Sequence, residues 1–146
     1  MAFELYDTPT QGGGWFKPTE ELKETAAFLI ETKDWEPQRP GAFGPKDSAL
    51  VDLTVFATQE ALDKGEPTEV HLGMRIEYTA LTATLKGMKD KPVVKTLDQA
   101  PPSKPGQRPA WVWRDVTPAV KKKVALYGAA REAAIEAELA SVPDFD

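Results

Sequence analysis

Two stretches of alternation constrain this chain more than anything else in it. In Ser48–Thr58 (SALVDLTVFAT), Ala49, Val51, Leu53, Val55 and Ala57 fall on one face and Leu50, Asp52, Thr54 and Phe56 on the other. In Glu69–Ile76, Val70, Leu72, Met74 and Ile76 alternate with His71, Gly73 and Arg75. A period of two is the repeat of a strand whose faces differ in environment. Two neighbouring strands therefore share an apolar face, and that face is predicted as core.

The remaining elements are read around this pair. Ala26–Trp35 begins apolar and then alternates, as suits a strand covered on both sides along its first half. Glu36–Asp47 is dense in Pro and Gly and predicts a long loop. After a polar connection through Lys64–Pro67 and the strand at 69–76, the period changes. Tyr78, Leu81, Leu85 and Met88 recur at three- and four-residue steps, the stripe of a short helix ending near Gly87, although three threonines oppose it on propensity.

Pro92–Leu97 and Ala110–Asp115 predict a fourth and a fifth strand, separated by a loop with four prolines. Thr117 and Pro118 open a helix as N-cap and first residue; Ala119–Ala140 continues it, with Val120, Val124, Tyr127, Ile135 and Leu139 roughly on one side. Lys17–Leu22 predicts a single helical turn with Thr19 as cap. Thr8–Gly14 is expected to hold no regular structure, which makes residues 1–14 an arm, 15–140 one domain and 141–146 a short acidic tail.

Three strands, a short helix, two strands and an appended helix is the order of the OB-fold, a five-stranded Greek-key barrel. The expected fold class is accordingly mainly β, an OB-fold-like barrel with helices. The rival is an open sheet built from the same elements.

With 146 residues, 41% of them hydrophobic and 28% charged, the chain matches a single globular core. The absence of cysteine excludes disulfides, thiolate metal sites and cysteine nucleophiles, and the lone His71 cannot form a histidine cluster. No apolar run reaches the roughly 20 residues of a membrane helix. Met1–Glu4 lacks the basic-then-apolar order of a secretory signal, so a cytoplasmic location is expected. The net charge of -5 is unevenly spread: 1–74 carries -8, 75–123 carries +7 and 124–146 carries -4. A basic block between acidic ends suits a polyanionic partner as well as an ordinary solvated surface.

Three stretches then converge on one likeness. Phe28–Gln38 (FLIETKDWEPQ), Phe43–Asp47 (FGPKD) and Lys104–Trp111 (KPGQRPAW) resemble a family of small proteins of actinobacterial phages, some of them described as single-stranded-DNA-binding-like. The likeness runs from about Gly13 to Ala129, and the two Pro/Gly-rich loops are its most specific parts. It departs at the third strand and helix and at the second tryptophan of the last strand, Trp113. The resemblance implies an OB-fold protein that coats or escorts single-stranded DNA in phage replication or recombination.

Such binding needs cations for phosphate and aromatic rings for bases, each stacked base contributing roughly 1–3 kcal/mol. The candidate residues are Phe43 and Lys46 in the first loop and Phe56 and Arg75 on outward strand faces. Lys86, Lys89, Lys91 and Lys95 surround the fourth strand, and Lys104, Arg108 and Arg114 bracket Trp111. Trp111 and Trp113 alternate onto one side, a pattern more often of barrel core or helix packing than of a base platform. The tail residues Asp144, Phe145 and Asp146 are candidates for recruiting replication or recombination proteins. No catalytic role is expected. Thr10–Gly14 lacks the ending of a phosphate loop, and Asp47, Asp52, Asp98 and Asp115 form no motif of paired acids, so no cofactor or metal is expected either. The alternative is a non-enzymatic protein-interaction module on the same OB-like barrel, binding a replication or host protein, with the last helix as a dimer interface.

Overall fold

The computed structural model describes residues 10–12, 14–41, 44–102 and 104–141. Its spine is a long antiparallel hairpin, β2 (Ala27–Arg39) against β3 (Lys46–Phe56), running from Ala27 opposite Phe56 to Arg39 opposite Lys46 with register shifts between Thr32 and Asp34 and between Glu36 and Arg39. β2 thus continues four residues into the expected loop. Pro37 is tolerated there because the ladder is irregular between Glu36 and Arg39, where a missing N–H breaks no bond. Gln38, at φ 49°, instead donates its backbone N–H (2.9 Å) and its side-chain amide (3.0 Å) to Asp47 Oδ1.

β4 (Glu69–Ile76) pairs antiparallel with β3. β5 (Val93–Ala100) pairs with the first half of β2, and β6 (Ala110–Asp115) with β5. A short parallel strand, β1 (Thr10–Gly12), lies against β4, giving the order β1-β4-β3-β2-β5-β6. The protein is therefore mainly β, an open sheet of five antiparallel strands, and the expected closed barrel is not formed. Closure would require β4 to pair with β6, but the outer edge of β4 is already occupied. β1 takes one half; along the other, Phe16 N donates to Arg75 O (2.8 Å) and Arg75 N to Gly14 O (3.0 Å). Part of the expected arm is thus an edge strand, while residues 1–9 and the tail 142–146 lie outside the described residues.

The inner face carries the larger core: Phe28 and Ile30 of β2, Ala49, Val51, Leu53 and Val55 of β3, Leu97 and Trp113 of β5 and β6, and Phe16. Phe16, Phe28 and Trp113 pack ring on ring at 5.5–6.2 Å. Helix α2 (Thr79–Thr84) caps this core with Leu81 and, just beyond it, Leu85. Its threonines are accommodated because Thr82 and Thr84 donate their hydroxyls to the Ile76 and Ala80 carbonyls, both at 3.0 Å. Before the sheet, the turn expected near Lys17–Leu22 is a 3-10 turn at Glu20–Glu24, which Thr19 precedes without a side-chain cap bond.

On the outer face a second core joins Ala27, Leu29 and Phe56 to Leu62 of helix α1 (Gln59–Lys64) and Val124 of helix α3 (Pro118–Ser141). α1 was not expected, yet both its ends are marked: Thr58 Oγ1 accepts from Ala61 N at 3.1 Å, and Gly65 closes the helix at φ 65°. α3 begins as expected, Thr117 Oγ1 accepting from Val120 N at 3.3 Å. Arg131 clamps it to β2 through two bonds to the Glu31 carboxylate, 2.8 and 3.0 Å. Among the described residues no helix is long and apolar enough to cross a membrane.

Candidate nucleic-acid interface

The expected cations do not converge on one groove. Lys86, Lys89 and Lys91 lie on the connection from α2 to β5, which runs beside β2: Lys89 bridges to Thr32, and Asp90 N donates to Thr32 O at 3.0 Å. Lys95 and Arg114 are instead tied to carboxylates within the β5–β6 hairpin, Lys95 to Asp115 and Arg114 to Asp98 (3.3 Å). Lys95 and its neighbouring charge hold the Asp115 carboxyl below its ordinary range. The Gln99 backbone N–H, ahead of Arg114, does the same for Asp98. Lys104 and Arg108 occupy the exposed β5–β6 turn. β5 runs antiparallel to β2, so that turn lies at the opposite end of the sheet from the β2–β3 turn.

One aromatic candidate is corrected outright. Phe56 does face outward, but α3 covers it: it is fully buried, with its ring at 5.2 Å and nearly perpendicular to that of Tyr127. It cannot stack on a base in this fold. Trp113 is core, and Trp111 packs half-buried against the same core. His71, expected outward, turns inward. Leu72 and Gly73 together oppose Asp52, a bulge that sets His71 opposite Leu53 and leaves Leu72 45% exposed. Phe43, Asp144, Phe145 and Asp146 lie outside the described residues.

Aromatic and charged side chains gather at the turn end of the β2–β3 hairpin. Lys46 stands exposed opposite Arg39. Arg75 reaches Glu36 (3.6 Å) and Ser48 Oγ (3.3 Å), while Arg39 spans Glu36 (3.6 Å) and Glu77 (3.7 Å). Beside them Trp15, bridged through its backbone to Arg75, is 53% exposed with the Arg39 guanidinium 5.9 Å from its ring centroid. On the inner side of the same end, Trp35 donates Nε1–H to Thr82 O at 2.9 Å, and Lys86 Nζ sits 5.4 Å from its ring. Asp47, across the hairpin, is kept below its usual range by the Gln38 backbone and side-chain bonds, with a smaller contribution from Lys86.

Among the described residues Lys46, Lys86, Lys89, Lys91, Lys104 and Arg108 form no ion pair. Sequence reasoning found Lys46, Arg75 and the 86–91 lysines but missed Trp15, Trp35 and Arg39. Trp15 was hidden behind a glycine run read as an arm, and Trp35 and Arg39 at the margin of a strand taken to end too early. Among the same residues no three carboxylate or histidine side chains gather to hold a metal ion. No family model, curated protein or solved structure matches the chain.

Proposed function

We propose that the protein binds single-stranded DNA through the turn end of the β2–β3 hairpin, with little sequence preference and no catalytic step. The observation that carries this reading is the exposed Trp15 stacked with Arg39, with the half-buried Trp35 stacked with Lys86 on the inner side, set near lysines that form no ion pair among the described residues. An exposed indole offers a π-face to any base, and unpaired ammonium groups take up phosphate with release of counterions. The strand order β4-β3-β2-β5-β6, with a helix between β4 and β5, supports an OB-like ancestry, since it is the order of that barrel short of closure. A role in phage replication or recombination rests on the family resemblance alone.

Fluorescence-anisotropy titration of labelled oligo-dT tests the reading. Binding is expected at low salt and should weaken as salt rises. Trp15→Ala should cost roughly 1–3 kcal/mol of affinity, and a Lys86→Ala/Lys89→Ala double variant should flatten the salt slope. Absence of binding at low ionic strength overturns the proposal.

The second reading, a protein-interaction module, is favoured by a separate observation: α3 leaves Leu126, Ile135 and Leu139 exposed. A stable protein partner combined with silence toward single and double strands would select it.

A further inference from the structure

We infer that the solvent-facing side of α3 is a self-association surface, on which a second copy of this chain lays its own α3 antiparallel about a two-fold axis at Ala129. This is independent of DNA binding. The surface is unusual for an exposed helix: around Ala129 stand Ala125, Leu126 and Ala133, all exposed, where charged residues would ordinarily face water. Small side chains let two helices approach to about 8 Å, the near limit of helix packing.

The charges identify the occupant. Lys122 lies seven residues before Ala129 and Glu136 seven after, so all three share one stripe of the helix. Both charged residues are exposed and form no ion pair among the described residues. An antiparallel copy crossing at Ala129 sets Lys122 against Glu136 twice, Ala125 against Ala133, and Leu126 against the stem of Glu132. A parallel copy would oppose like to like, and an unrelated partner would need no such symmetry. The wider charge distribution agrees, since Lys121–Lys123 open the helix and Glu132 and Glu136 follow in its second half.

Beside this stripe a cleft of about 520 Å³ separates α3 from β2 and β5, with Ala125, Gly128, Ala129 and Glu132 as its helical wall and Leu29 and Val94 on the sheet. It offers a hole for the Leu126 knob of the second copy.

Sedimentation velocity on the full chain without DNA, from low micromolar to submillimolar concentration, tests the inference. A reversible shift from 16.0 kDa to twice that mass is expected. Lys122→Glu or Glu136→Lys alone should weaken the dimer roughly tenfold, since each places two like-charged pairs at the interface. The double exchange should restore it, and Ala129→Arg should abolish it. Circular dichroism verifies that each variant remains folded, which these exposed positions permit. A chain that stays monomeric throughout, a dimer indifferent to Ala129→Arg, or a double exchange no tighter than the single variants would each overturn the inference.

Discussion

A hydroxyl sealed inside a hydrocarbon core is a cost unless something accepts its proton. Thr32 is 1% exposed on the inner face of β2, and its Oγ1 has no hydrogen-bond partner among the described residues. Thr32→Val keeps the shape and the β-branched preference for a strand while removing that group. The variant is expected to be more stable by about 1 kcal/mol, read as a raised denaturant midpoint at unchanged slope. A lowered midpoint would mean that water satisfies the hydroxyl. Phe56 carries the complementary lesson. Its face of β3 was legible from alternation, but whether that face meets water depended on α3, more than sixty residues later, and no local pattern holds that information. Trp15 is the reverse case. Its exposure follows from the edge pairing that carries Phe16 inward, whereas its sequence context, just after a glycine run, marked only where the ordered domain begins.

At the scale of elements, β4 turns on one residue. Gly73, at φ 69°, places two residues opposite Asp52, whose Oδ1 accepts the Gly73 N–H at 3.0 Å. A bulge shifts every side chain beyond it to the other face. Alternation therefore held for Met74 and Ile76 and failed for His71 and Leu72. Gly73→Ala has open space for its Cβ but must hold a left-handed backbone, so a loss of about 1–2 kcal/mol is expected. Thermal unfolding compared with Gly128→Ala checks it, because that glycine sits within α3, where alanine should stabilise. The boundaries of α3 and β6 were legible because their signals are local: a Thr-Pro cap and a short run of β-formers. Pro37 misled because its effect depends on whether the partner strand needs its N–H.

For the whole molecule, several exposed carboxylates tie sequence-distant elements together. Asp63 binds Lys123 between α1 and α3, Asp115 binds Lys95 and Asp98 binds Arg114 between β6 and β5, and Asp47 accepts from Gln38 across the hairpin. These partners, and for Asp98 the Gln99 backbone N–H ahead of Arg114, hold all four carboxyls below the ordinary value of 3.8. As pH falls the unfolded chain therefore takes up protons first. The stability these contacts contribute is complete above the ordinary carboxylate value and is lost as pH drops through the lower folded values. Melting temperature is expected to decline between about pH 5 and pH 3, and less steeply in high salt. A flat profile would show that the pairs contribute nothing.

What the sequence determined by itself is most of the elements, though neither β1 nor α1: five strands in order, the helix between β4 and β5, the capped last helix and the segregation of charge. Each is written in neighbours a few residues apart, through period, cap and turn. Only the tertiary structure decided that the sheet stays open, since the outer edge of β4 is paired with Thr10–Gly12, Gly14 and Phe16 rather than with β6. It alone decided that Phe56 is core and that Trp15 and Trp35 flank the hairpin end. Edge pairing and burial are set by contacts between distant segments, and no local repeat encodes them.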